Sequence, residues 1–175
     1  MLASNRVGPV SDEDAVDAVV SAWHRERPDL DLTAIGVAGR MGRLALVLGP
    51  AQERVFGKFG LQRGEFDVLA ALRRSGRPYT LIPSELSATL MMSRAGMTSR
   101  LDRLEKAGFV ERALDPNDRR SFRIRLTDKG FDAVDAAMTE HTANVSELLS
   151  GLSGKELGLL DDVLRKLLGY LDPQP

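Results

Sequence analysis

Apolar residues return every three or four positions along most of this chain, and in only two short stretches do they alternate with charged ones. Val16, Val19, Val20 and Trp23 recur at helical spacing. Ahead of them stand Ser11, Asp12, Glu13 and Asp14, a capping hydroxyl with acids in the first turn, and Pro28 stops the helix. Asp29 or Asp31 caps a second, long helix through Ile35, Met41, Leu44, Leu48, Val55, Phe56 and Phe59, with Gly60 as its left-handed C-terminal cap. EFDVLAALRRSG reads as a shorter helix closing at Gly76, and YTL is too short for anything but an edge strand.

Pro83 suits the first turn of the helix PSELSATL, where its missing N–H is no loss; Ile82 is a poor cap, which leaves Thr80 or water to satisfy the free amides. Ser93 caps RAGMTSRLDRLEKAG, which points Leu101 and Leu104 inward and ends at Gly108. Two helices of this size joined by a tight turn form a helix-turn-helix. FVERAL and SFRIRL then alternate at period two and read as an antiparallel ribbon with DPNDRR at its tip. Helix-turn-helix plus ribbon is a winged helix. Thr127 caps a long helix through Phe131, Val134, Met138, Val145, Leu148 and Leu149, and Ser153 with Glu156 forms a capping box for a last helix rich in leucine.

The fold class is therefore mainly α with a small β-ribbon. Residues 1–11 form a flexible tail, 12–60 the N-terminal helices, 61–126 the winged helix-turn-helix lobe, and 127–172 the C-terminal helices. The terminal helices carry more apolar surface than a winged-helix core of this size can cover, which implies a homodimer with interleaved helices.

Composition narrows the function. With 43% hydrophobic and 28% charged residues in 175, the balance is that of a soluble globular protein. The absence of cysteine removes disulfides, thiolate metal sites and cysteine nucleophiles, and fits a reducing cytoplasm. Neither a signal peptide nor a membrane span is expected. The net charge of −1 excludes a globally cationic nucleic-acid coat, but Arg94 to Arg125 holds nine basic residues against five acids, +4 in a chain whose remainder is −5. That local basic face lies on the helix-turn-helix and wing.

In such a unit the second helix enters the major groove of duplex DNA, and its N-terminal half here offers Ser93, Arg94, Met97, Thr98 and Arg100, with Arg103 one turn further on. At the wing tip Asp118 holds one guanidinium while Arg120 enters the minor groove and Arg119 meets phosphate. Catalysis has little support. His24 and His141 lack metal-ligand spacing, and GVAGRMG lacks the order of a phosphate loop and sits within a helix. Neither metal nor cofactor is expected.

The stretch ELSATLMMSRAGMTSRLDRLEKAGFVERALDPNDRRSFRIRLTDKG resembles the MarR family of bacterial transcription regulators, whose wing reads D-P-x-D-R-R and leads into L-T-x-x-G. The resemblance implies a dimeric winged-helix repressor on a pseudo-palindromic operator, responsive to small anionic or aromatic effectors. The chain is also similar to a urate-responsive branch with an extra N-terminal helix. That likeness implies ligand-binding roles for Trp23, Asp67, Arg100 and Arg112. Other readings stand beside these: Trp23 as a packing aromatic, Asp67 as a surface acid, Arg112 as a phosphate contact. The effector is left open between urate, aconitate or citrate, and another phenolic or carboxylate metabolite. Two whole-protein alternatives remain, a constitutive or architectural DNA-binding protein without ligand sensing and a helical module whose wing docks on protein.

Overall fold

The computed structural model describes residues 13–91, 93–114 and 122–172, with Arg94 described by its backbone alone. The elements run α1 (Ala15–Glu26), α2 (Thr33–Gly57), α3 (Arg63–Arg74), β1 (Thr80–Leu81), α4 (Pro83–Thr89), α5 (Arg94–Lys106), β2 (Val110–Leu114), β3 (Phe122–Leu126), α6 (Asp128–Leu148) and α7 (Gly154–Leu171). They divide into two compact units, residues 1–50 and 51–175. The sequence places a boundary near 60. It falls earlier because Val55 and Phe56, at the end of α2, belong to the hydrophobic core of the second unit.

In the first unit the helix start moves from Ser11, outside the described residues, to Asp14. Its carboxylate accepts from the amides of Val16 and Asp17, while Asp17 accepts from the Asp14 amide. Asp31 accepts from the Thr33 amide at 3.0 Å and begins α2. Arg40 on α2 then reaches Asp14 and Asp17, at 2.8 and 2.5 Å. The GVAGRMG segment finds its physical reason here. A Cβ at Gly39 would stand 3.0 Å from Val16 Cγ1, so the missing side chain lets α1 lie close against α2.

The second unit holds the winged helix together with α6 and α7. Its core gathers Phe56, Val68, Leu69, Leu72, Leu86, Met97, Leu104, Ile124 and Val134, each 2% exposed or less. Phe56 stacks on Phe66 with centroids 4.2 Å apart. Gly60, at φ +69°, turns the chain between α2 and α3, as expected of a left-handed cap. The sheet has three strands rather than two, in the order β1-β3-β2 and antiparallel throughout, so YTL is indeed an edge strand, pairing Thr80 with Arg125 and Leu81 with Ile124. The free amide at Ile82 is taken by Glu85, not by Thr80, at 2.9 Å.

The L-T-x-x-G segment has a visible cause. Thr127 Oγ1 accepts from the Gly130 amide at 3.0 Å and donates to the carbonyl of Gly108 at 2.8 Å, fastening the start of α6 to the corner between α5 and β2. At that corner a Cβ on residue 130 would collide with the carbonyl of Phe109. Only glycine fits. Ser153 and Glu156 make the expected capping box on α7, which buries none of its residues. Among the described residues no helix is long and apolar enough to cross a membrane.

Candidate nucleic-acid interface and effector cavity

Ser93 caps α5 by accepting from the Gly96 amide at 3.2 Å. From that start the helical phase sends Met97, Leu101 and Leu104 into the core, at 1, 2 and 1% exposure. Met97 is therefore a packing residue, a correction to its expected place among the base-reading side chains: a side chain filling the core has no atom to offer a groove. Ser93 and Thr98 lie on the exposed face, and Arg100 is half-buried. Asp118, Arg119 and Arg120 of the wing tip lie outside the described residues.

Arg103, expected at the DNA interface, and Arg112, expected at the ligand site, are both engaged with neighbouring elements. Arg103 Nε donates to Glu65 Oε1 on α3 at 2.7 Å and its Nη1 to Ser99 Oγ at 2.9 Å. Arg112 on β2 pairs with Asp102 at 2.5 Å and Glu105 at 3.1 Å, both on α5. Its two acids pin the wing to the helix beside it. Across the ribbon Arg125 pairs with Glu111, its register partner.

Between the start of α3 and the middle of α5 lies a cavity of about 690 Å³, lined by Glu53, Leu61, Gln62, Arg63, Gly64, Asp67, Leu90 and Arg100. The structure thus brings together two of the four residues expected to hold a ligand, Asp67 and Arg100. Arg112 does not line this cavity. Trp23 lies on α1 in the first unit, 54% exposed. Gly64 makes room for the guanidinium of Arg100, since a Cβ there would run into it. Burial pushes the carboxyl of Asp67 above its ordinary value, more than the neighbouring charges of Arg63, Arg100 and Arg74 lower it.

The cavity thus sets a half-buried carboxyl among cationic side chains, two of which, Arg63 and Arg100, line the same space. Sequence reading missed Arg63 and Gly64, whose roles exist only once α3 and α5 are packed. Glu65 had a usable signal: Gln62-x-x-Glu65 ahead of an apolar run is a capping pattern, and Glu65 Oε2 accepts from the Gln62 amide at 2.8 Å. Among the described residues no group of three or more His, Cys, Asp or Glu could hold a metal.

A MarR family model matches residues 59–121, from just after α2 to just before β3. The HTH-type transcriptional regulator PecS of Dickeya dadantii is 42% identical over 157 residues, spanning 90% of this chain and 92% of that protein. The transcriptional repressor MprA of Escherichia coli is 36% identical over 113 residues, covering 65% of this chain and 64% of MprA. Among solved structures, a cysteine-to-serine variant of Escherichia coli MarR complexed with operator DNA aligns with a TM-score of 0.66 at 26% identity, covering 78% of this chain and 97% of that one. With these relatives, and a helix-turn-helix and wing of the geometry just described, the chain belongs to the MarR family of DNA-binding transcriptional regulators.

Proposed function

We propose that the chain is a cytoplasmic homodimeric repressor that binds a pseudo-palindromic operator and is released by a small anionic effector held in the cavity between α3 and α5. The observation that carries this reading is the place of Arg100. It stands on the DNA-reading helix and lines the cavity with Asp67, so an anion seated there acts directly on the helix that meets DNA. Ligand and operator then draw on the same cation and are negatively linked. Ser93, Arg94, Thr98 and Arg100 read or position the major groove, and Asp118, Arg119 and Arg120 serve the minor groove and the phosphates beside it.

The effector pocket resembles that of the urate-responsive branch in using Asp67 and Arg100, with Arg63 as an added cation. Arg112, tied to Asp102 and Glu105, works in the wing. A transcriptional regulator of the same fold, at a TM-score of 0.71 and 19% identity, is an organohalide sensor seen with 2,4-dichlorophenol bound, so the fold can hold a small aromatic ligand.

The test is titration of the protein–DNA complex with organic anions, urate, citrate, aconitate and salicylate among them, at fixed pH and salt. Release at submillimolar ligand is the expected result. Asp67→Asn is expected to move the release midpoint by at least about fivefold, with a much smaller change in ligand-free operator affinity. A complex that no anion dissolves identifies a constitutive DNA-binding protein instead.

A further inference from the structure

Among the described residues Glu65 is the one charged residue that is buried, at 6% exposure. A carboxylate is placed so only when its charge is met, and both of its oxygens are occupied. Oε2 accepts from the Gln62 amide at 2.8 Å, closing the first turn of α3, and Oε1 accepts from Arg103 Nε at 2.7 Å. Arg103 spends its other end on Ser99, one turn back along α5, at 2.9 Å. The guanidinium is thereby fixed between α3 and the side of α5 that carries Ser99.

The geometry is that of a strut. Apolar packing through Met97 and Leu101 holds α5 against the core, but such contacts are non-directional and tolerate small slides along the helix axis. A charged hydrogen bond from a buried carboxylate does not. We propose that Glu65 is a positioning residue for the DNA-reading helix, setting the seat of α5 through Arg103, and that Arg103 serves this strut and not a DNA phosphate. The inference rests on the reading of α5 as the DNA-reading helix. It adds a residue that meets neither DNA nor effector. It also gives the start of α3 two attachments to α5: Gly64 and Asp67 share the effector cavity with Arg100, and the Glu65 strut to Arg103 lies beside it.

Gln is the informative replacement. Two donors face the carboxylate, and an amide supplies one oxygen and one NH₂, so one donor is left against another. Glu65→Gln, Arg103→Gln and the double variant would be measured on two duplexes, one selected from a random-sequence pool by the wild-type protein and one scrambled. Each single variant is expected to lose about tenfold in affinity for the selected duplex, the scale of one base contact. Affinity for the scrambled duplex and the salt dependence stay as in the wild type, and the double variant loses no more than the worse single.

Losses that multiply in the double variant overturn the proposal. So does an Arg103→Gln loss equal on both duplexes with a salt slope reduced by about 0.9, the mark of one phosphate contact. If thermal melting shows that Glu65→Gln does not fold, Arg103→Gln, at a side chain 46% exposed, carries the same test. A wild-type chain that selects no duplex ends the regulator reading, and amide exchange along α5 in the unliganded protein then decides the strut alone: faster exchange in the variants supports it, unchanged exchange overturns it.

Discussion

Asp67 is the residue at which charge, burial and function meet. Burial raises its carboxyl above the ordinary 3.8 even though Arg63, Arg100 and Arg74 pull the other way. The folded chain therefore holds this proton to higher pH than the unfolded chain does. Between the two values the folded state carries more protons, so the contribution of this group to stability falls as pH rises above 3.8. Asp67→Asn removes that loss. The variant's melting midpoint is expected to match or trail the wild type at pH values below the ordinary carboxylate range, to gain on it as pH rises above 3.8, and to level off once the folded-state carboxyl has ionised. Thermal melts across that range check the sign; a gap that narrows as pH rises would mean that the arginines, not burial, govern the site.

At the scale of elements, the wing and the helix beside it act as one piece because Arg112 bridges them. Its side chain is 29% exposed and meets two carboxylates of α5 at once. Arg112→Gln leaves one neutral amide facing two acids. It is expected to speed amide exchange through β2 and β3 and to weaken operator binding roughly three- to tenfold, about the net value of one ordinary hydrogen bond, since water screens these partly exposed charges. The anion concentration that releases DNA should be unchanged, since this residue does not line the cavity. Exchange mass spectrometry with an operator titration reads both, and a variant deaf to every anion would return Arg112 to the ligand site.

The same scale shows what the sequence could disclose. Ser93, Thr127 and Ser153 cap where they were expected, because a cap needs only local hydrogen bonds between residues three apart. The period-two runs around the wing read as strands for an equally local reason. The pairing of Thr80–Leu81 with β3 was not legible, since two residues carry no period and the partner lies more than forty positions on. Met97 failed by phase: a methionine near the start of a recognition helix looks like a reader until Leu101 and Leu104 fix which side is buried. The capping pattern Gln62-x-x-Glu65 marks Glu65 as closing the first turn of α3 but says nothing of its burial. Its burial follows from the packing of α3 on α5, a tertiary fact with no local signature. Of the cavity, Asp67 and Arg100 came through the family resemblance, and Arg63 and Gly64 only from the structure.

For the whole molecule the decisive surface is the one that a single chain leaves open. On α7, Leu159, Val163 and Tyr170 are 57, 63 and 81% exposed, and on α2 Val37, Leu44 and Val47 are 54, 55 and 63% exposed. Isolated apolar residues in water are ordinary, but rows at helical spacing on helices at both ends of the chain are the composition of an interface. A second copy is the partner that fits the proposed operator, since two reading helices held about 34 Å apart match one turn of duplex. Leu159→Asp with Val163→Asp places two charges in the middle of the α7 row without touching the winged-helix core. Sedimentation velocity at micromolar concentration is expected to show the wild type as two chains and the variant as one. Because one chain grips only a half-site, the variant's operator affinity should fall by about a hundredfold or more, the avidity of the second head being lost. Far-ultraviolet circular dichroism should stay near that of the wild type. A variant that still sediments as two chains would move the interface off α7, and a single-chain variant that binds the operator as tightly as before would remove dimerisation from the recognition mechanism altogether.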